Sequence, residues 1–202
     1  ALAAYAAGHG ARALQTAISQ GQYSHPEGLF FGGHRPTWSR QTLTHVLEDH
    51  GTRCRRLAWI DVHTGLGPSG HGERIFADRN DAAALARARR WWGGEVTSMY
   101  DGSSASAELT GLLFNAAYQH CPQAQYTGLA IEYGTLPMNE VMAALRADQW
   151  LYNHPEAAAD VRAAIKRQMR DAFYVDTPEW KRQIVQQGIE VAMQAVAGLA
   201  AA

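Results

Sequence analysis

The sequence is poor in cysteine and has no long apolar run. Its 202 residues include two cysteines, Cys54 and Cys121. They lie far apart and without Cys-x-x-Cys spacing, so neither a disulfide framework nor a cysteine zinc site is indicated. No apolar run approaches the roughly 20 residues that cross a bilayer, and the first residues lack the charged-then-apolar order of a secretory signal. We therefore expect a soluble cytoplasmic protein with ordinary thiols.

The sequence also lacks an excess of charge of either sign. Eighteen lysines and arginines stand against 19 aspartates and glutamates, which gives a formal net charge of −1. Such a chain has no general electrostatic attraction for phosphate backbones or anionic lipid surfaces, so we expect no nucleic-acid partner and no membrane partner. The sequence has no Gly-x-Ser-x-Gly elbow either, and a serine nucleophile is therefore not indicated.

What the chain does contain is apolar sequence with an alternating pattern. Apolar residues make up 47% of it, and no repeat, linker or charge block marks a boundary, which predicts a single domain over residues 1–202. Short apolar runs alternate with segments of helical spacing, which predicts an α/β layer fold. The predicted strands are 57–62, 95–100 and 127–133; the predicted helices are 3–20, 39–50, 81–92, 104–120, 138–152, 156–174 and 178–199. Ser39 is well placed to cap the second of these helices.

The stretch "LAWIDVHTGLGPSGHGE", residues 57–73, holds the first candidate site. His63 falls at the C-terminal end of a predicted strand, where ligands bind in open α/β sheets, although a histidine there can also simply mark a turn. Asp61 lies two residues earlier on the same side of the strand, and it either orients the imidazole or caps a neighbouring loop. The glycines that follow let the loop approach a substrate closely. His71 and Glu73 either line the pocket or are solvated loop residues.

A second candidate lies in "TGLAIEYGTLP", residues 127–137, where an apolar strand ends at Glu132. A carboxylate at such a position is paired, solvated or employed in function. Two strands would then deliver His63 and Glu132 to the same rim of the sheet. Metal-assisted hydrolysis requires a carboxylate beside a metal-bound water, because the metal lowers the pKa of the water and the carboxylate relays the proton.

Two other features have less specific interpretations. The segment "YDGSSAS", residues 100–106, is either a substrate loop backed by helix N-terminal amides or only a helix start capped by Ser103 or Ser104. The tryptophans at 38, 59, 91 and 92 are typical of core packing rather than of a ligand box.

Three segments together resemble the zinc carboxypeptidase-like proteins of the carboxypeptidase A superfamily, in a bacterial branch. They are "GQYSHPEGLFFGG" (21–33), "WIDVHTGLGPSGHGE" (59–73) and "IEYGTLP" (131–137). The resemblance implies a three-layer α/β/α sandwich with a mixed, mainly parallel sheet. It also implies a zinc ion held by a His-x-x-Glu pair and a later histidine. His63 matches the later histidine, and Glu132 matches the separate glutamate that acts as general base and acid.

The family's His-x-x-Glu pair is missing where the resemblance places it. In the family this pair, and the arginines and asparagine that bind the substrate carboxylate, precede the segment of His63; here only 62 residues precede it, without those motifs. One His-x-x-Glu string, His45 and Glu48, lies on a predicted helix. Residues i and i+3 can bind one metal, but we interpret this pair as part of a solvated face. We expect an N-terminal part of the domain, with two zinc ligands, to lie outside this chain, which begins without Met or a helix cap.

Two functions follow from these features. The first is a zinc-dependent hydrolase of a peptide or amide bond, acting on a peptide or an N-acyl amino acid, with His63 as zinc ligand and Glu132 activating the metal-bound water. The alternative is a non-catalytic fragment or degenerate scaffold that lacks the His-x-x-Glu ligands. No heptad or exposed apolar stripe predicts an oligomeric state.

Overall fold

A small mixed sheet forms the centre of the chain in a computed structural model, which describes residues 2–104 and 106–201. The strands are β1 (Arg56–Ser69), β2 (Gly72–Phe76) and β3 (Gln125–Gly134). β3 lies in the middle, with β1 parallel to it on one side and β2 antiparallel on the other. The predicted α/β class and the mixed character of the sheet are confirmed.

Helices pack on both sides of this sheet. They are α1 (Leu2–His9), α2 (Ala11–Ser19), α3 (Trp38–His50), α4 (Ala82–Trp92), α5 (Asn115–His120), α6 (Met138–Tyr152), α7 (Ala159–Phe173) and α8 (Pro178–Ala201), with a 3-10 turn at Gly51–Arg53. Within the described ranges, none of these helices combines the length and the apolar character needed to cross a bilayer.

One face of the sheet carries the main core. Leu129 and Ile131 alternate along β3 toward this face and are fully buried. They pack in one cluster with Trp92 of α4 and with Trp180 and Val191 of α8. The Trp92 indole N–H donates to the carbonyl of Val191 at 2.9 Å, which satisfies a buried donor and ties α4 to α8.

The opposite face carries a smaller apolar cluster near the amino ends of the parallel strands. Tyr126 of β3 packs there with Phe114 and with Ala117 of α5, and Trp59 of β1 lies against this group. Further along the same face the side chains become polar. The candidate site occupies that carboxyl end of the sheet.

Local capping chemistry determines where several helices begin and end. Asp81 accepts from the backbone N–H groups of Ala83 and Ala84, and α4 then runs as predicted to Gly93, whose φ of 102° suits glycine. The prediction of Ser39 as the cap of α3 was wrong. Thr37 takes that position, because its backbone is extended and its hydroxyl accepts from the Arg40 N–H.

Two strand predictions need correction. Residues 95–100 form no strand: Thr97 makes only an isolated bridge with Ile75, and the chain then turns, with the Ser98 N–H donating to the Ser103 hydroxyl. β2 was not predicted, because its flanking glycines resemble a loop. β1 also continues past residue 62 to Ser69.

Three predicted helices are shorter than expected. Of residues 104–120 only Asn115–His120 is helical, and Ala105 lies outside the described residues. Leu109 and Leu112, which lie within this predicted helix, instead line a cavity. The predicted helix 3–20 divides into α1 and α2 at Gly10, whose φ is 90°. α7 begins at Ala159 rather than at residue 156.

The burial of Leu129 yields a stability prediction. We expect Leu129→Ala to lower the free energy of unfolding by about 3 kcal/mol, because it leaves a cavity in the core. Val185→Ala on α8 is the control, since Val185 is 58% exposed, and we expect a change within about 0.5 kcal/mol. Urea denaturation measures both, and equal losses would contradict the packing described here.

Candidate functional site

His63 and Asp61 form a pair on one face of β1. Because they are two residues apart on a strand, both side chains point to the same side. The His63 Nε2 lies 3.0 Å from the Asp61 Oδ2. Of the two roles left open for Asp61, the structure shows the contact with the imidazole. The His63 side chain is 49% exposed, so its ring is accessible.

Glu132 lies beside this pair on the neighbouring strand. In the parallel pairing of β1 with β3, the register partner of His63 is Glu132. The two side chains therefore share one face of the sheet, although neither ends its strand as expected, because β1 continues to Ser69 and β3 to Gly134. This is the face that carries Trp59 and Tyr126 further down.

A main-chain amide holds the Glu132 carboxylate. The Leu66 N–H donates to the Glu132 Oε1 at 3.0 Å. The preceding residue, Gly65, has a φ of 141°, and a Cβ there would lie 3.0 Å from the Phe173 ring. The glycine therefore permits the conformation that points the Leu66 amide at Glu132.

Burial raises the pKa of Glu132 above that of an ordinary glutamate. The Leu66 N–H and the charge of His63 lower the pKa, while the charges of Glu73 and Asp61 raise it further. The ionised carboxylate is thus disfavoured in the fold. The protonated carboxyl group of Glu132 therefore stabilises the fold. This contribution is fully present below the pKa that Glu132 has in the unfolded chain, and it is lost as the pH rises through the higher pKa of the folded chain.

The hydrogen bond to Asp61 raises the pKa of His63. Burial of the ring lowers this pKa, and the charges of Asp61 and Glu132 raise it, so the net shift is upward. The protonated pair stabilises the fold below the ordinary histidine pKa. That contribution is lost as the pH rises through the raised pKa.

A cavity of about 430 Å³ borders these three side chains. Asp61, His63 and Glu132 supply its charged groups. Its wall is otherwise largely apolar and comes from the sheet and from the segment that precedes α5; it includes Trp59, Ile75, Leu109, Leu112, Phe114 and Tyr126. The volume falls within the range of about 300–1,000 Å³ that small-molecule sites occupy.

A larger cavity, of about 700 Å³, lies on the other side of Leu66. It is bounded by α2 and by the loops that follow β1 and β3, and its lining includes Leu14, Ile18 and Met138. Its described lining residues include no histidine, aspartate or glutamate. Of these two cavities, only the smaller one is therefore lined by the titratable side chains that a catalytic site requires.

Glu73 and His71 have different positions relative to the site. Glu73 of β2 is the register partner of Glu132, and its Oε1 accepts from the Thr97 hydroxyl at 2.7 Å. His71 lies exposed in the turn before β2. Neither side chain is among the described residues that line the site cavity. Glu73 affects the site through its charge, which raises the pKa of Glu132.

The His-x-x-Glu string on α3 belongs to a different part of the molecule. The Glu48 Oε1 lies 3.3 Å from the His120 Nδ1 on α5, and its Oε2 lies 3.9 Å from the His45 Nδ1. The His45 side chain is largely exposed. Glu48 therefore lies against α5 and pairs with two histidines, away from His63 and Glu132.

Sequence reasoning missed three parts of the site. The Leu66 amide left no signal, because any residue other than proline carries that N–H group. The segment 106–114 did carry a signal, an apolar spacing, but we assigned it to a helix. A third contributor, Gln15 of α2, reaches the cavity from an element with no predicted role.

The donor atoms around His63 can be compared with those that a zinc site requires. With Nε2 directed to Asp61, the Nδ1 of His63 remains for a metal, and a carboxylate on the second nitrogen is the usual support for a histidine ligand. Catalytic zinc sites use three protein ligands. Among residues 2–104 and 106–201, however, no group of three or more His, Cys, Asp or Glu side chains is arranged to hold a metal. The described residues therefore do not form a complete zinc site by themselves.

Comparison with known families gives one match. The model of a family described as "Protein of unknown function (DUF2817)" matches residues 1–187. No curated protein and no solved structure matches the chain.

The Asp61 contact predicts the titration of His63. We expect Asp61→Asn to lower the pKa of His63, because the amide cannot supply the negative charge that favours the imidazolium. NMR titration of the His63 ring protons measures this, with the exposed His45 as an internal control. An unchanged His63 pKa in a variant that still folds would exclude the pairing.

Proposed function

The chain belongs to the DUF2817 family, and we propose that it is the C-terminal portion of a zinc-dependent hydrolase of a peptide or amide bond. One observation supports this proposal above all: Glu132 lies on the same face as the Asp61-supported His63, beside a cavity of small-molecule size. An acid–base carboxylate, an oriented imidazole and a binding space are the parts that such a reaction requires.

His63 is the zinc ligand in this proposal, and Asp61 is its positioning residue. Asp61 accepts from Nε2 and thereby fixes the ring orientation and directs Nδ1 away from itself. A bound zinc ion would lower the pKa of a water molecule and polarise the scissile carbonyl. Because a histidine must be neutral to bind a metal, zinc affinity falls as the pH drops below the raised pKa of His63.

Glu132 is the general base and then the general acid. Its Oε1 is held by the Leu66 amide, so the carboxyl group has a fixed orientation toward the cavity. Its raised pKa suits the role, because a carboxylate that accepts a proton from water must also give that proton to the leaving amine. An ordinary glutamate would be a weaker base at neutral pH.

The remaining ligands come, in this proposal, from outside the chain, as the zinc carboxypeptidase-like resemblance implies. The incomplete donor set supports this part. The sheet also supports a further part of the domain outside this chain, because no strand in the described residues pairs with the outer edge of β1. An open edge on a strand of 14 residues is unfavourable unless it is covered. Further strands on that edge would extend the sheet to the three-layer sandwich with a mainly parallel sheet.

Zinc content tests the ligand assignment. We expect the 202-residue chain to retain well under one zinc after dialysis into metal-free buffer, because it supplies one ligand, whereas a longer form that includes the remaining ligands retains about one. Elemental analysis measures both. One zinc on the 202-residue chain would mean that a complete site exists within it or across two copies, with His45 and Glu48, or His71 and Glu73, as candidates.

Glu132 is tested in the zinc-bound form. We expect Glu132→Gln to keep the zinc and to lower peptide or amide hydrolysis by about a hundredfold to ten-thousandfold, because the amide cannot accept the proton. Glu48→Gln is the matched control, since Glu48 pairs with His120, and it should keep full activity. Full activity in Glu132→Gln would end the general-base assignment. Absence of activity in the zinc-bound parent would favour the non-catalytic scaffold.

A further inference from the structure

Another cavity, of about 410 Å³, lies between α3, α5 and the residues that follow β2; we call it the arginine cavity. Its volume falls within the range of about 300–1,000 Å³ that small-molecule sites occupy. Gly111, Leu112 and Leu113 line both this cavity and the cavity beside His63, so the two are neighbours. Neither His63 nor Glu132 is among the described residues that line the arginine cavity.

Polar side chains reach the arginine cavity from three elements of the fold. Arg40 and Thr44 lie one turn apart on the same face of α3. Asn115 and Gln119 have the same spacing on α5, and Arg79 comes from the segment after β2. All five side chains can donate hydrogen bonds, and the two arginines carry permanent positive charges. A ligand in this cavity therefore meets donors from several directions.

The orientation of Arg79 is determined by its neighbours. Its guanidinium lies 3.6 Å from the centre of the Tyr118 ring, and its backbone N–H donates to the Asp78 Oδ1 at 2.7 Å. The Tyr118 hydroxyl donates to the same carboxylate oxygen, which ties the ring to the backbone of Arg79. A guanidinium stacked on a ring keeps its N–H donors in its own plane, where they can bind an oxyanion in a bidentate manner. Arg79 is therefore partly preorganised for an anion.

The acidic side chains near these arginines have other partners. No aspartate or glutamate is among the described residues that line the arginine cavity. The Asp81 carboxylate caps α4, and Glu48, one turn beyond Thr44 on α3, pairs with His120. The buried Asp78 accepts from Tyr118 and from the main chain of Arg79 rather than from a guanidinium.

The charge of the two arginines is therefore not neutralised within the cavity. Among residues 2–104 and 106–201, the side chain of Arg40 makes no hydrogen bond or ion pair, and the same is true of Asn115 and Gln119. Two like charges that border one cavity repel each other, and an anion between them removes this repulsion.

We propose that the arginine cavity binds the phosphate group of a small phosphate monoester. Two guanidinium groups match the charge of nearly −2 that a phosphate carries near neutral pH, and its three oxygens accept from donors on different elements. A carboxylate has one charge and two oxygens, which fits this donor set less well. Leu43 and Leu112 offer apolar surface to the organic part of the ester. The proposal goes beyond the hydrolase function and is independent of it, because it uses neither zinc nor Glu132.

Phenyl phosphate and benzoate are the probes for this site. Each is titrated at pH 7.5 and low ionic strength into the isotope-labelled 202-residue chain without added zinc, and two-dimensional NMR records the amide signals. We expect phenyl phosphate to shift the side-chain amide signals of Asn115 and Gln119 with a Kd below about 1 mM, and benzoate to bind at least about tenfold more weakly. Equal or tighter binding of benzoate overturns the proposal. Shifts confined to the surroundings of His63 and Glu132 overturn it as well, as does no shift up to about 10 mM phenyl phosphate.

Variants that remove one charge test the two arginines. We expect Arg79→Gln and Arg40→Gln each to weaken phenyl phosphate binding about tenfold, because each loses a charge-assisted contact. Arg167→Gln is the matched control, since Arg167 is an exposed residue of α7 outside the described lining, and it should bind like the parent chain. Arg40 is also exposed, so its variant keeps the fold and decides the question even where Arg79→Gln unfolds. The same affinity in Arg40→Gln and Arg167→Gln would overturn the proposal.

Discussion

The parallel pairing of β1 with β3 is the constraint on which the site depends. Its register places His63 opposite Glu132 and Asp61 opposite Ala130. A slip of one residue would turn the polar side chains of β1 toward the main core, because the side-chain period of a strand is two. Ala58 and Ile60 of β1 pack against the main core on the opposite face, and their burial opposes such a slip. The core therefore fixes the geometry of the site on the other face of the same strands.

The negative charges of the site act on its two titratable partners together. Asp61 raises the pKa of both His63 and Glu132, although a hydrogen bond dominates for the histidine and burial dominates for the glutamate. Both groups therefore hold protons more tightly than usual in the metal-free chain. The proposed zinc ion would reverse this preference, because a divalent cation favours an ionised carboxylate and a neutral imidazole.

The sequence predicted the parts of the molecule that follow from periodicity and strand direction. His63 and Glu132 each follow an apolar run, and the two runs are parallel in the sheet, so the α/β pattern predicts that the two side chains meet. The helices α4 and α6 were predicted from the helical spacing of their own residues. Other parts depend on tertiary contacts. Thr37 caps α3 in place of Ser39 because of backbone conformation. The segment 106–114 has helical spacing but lines the cavity wall, and β2 pairs with β3 despite its glycines.

The Leu66 amide makes one side of the site independent of side-chain identity. The N–H that holds Glu132 belongs to the main chain, so substitutions at position 66 other than proline keep the donor. The sensitive position is instead Gly65, where a side chain would meet both an unfavourable φ and the Phe173 ring. The residue that contacts the carboxylate can therefore change its side chain without losing this hydrogen bond. The residue before it, Gly65, cannot take a side chain without strain.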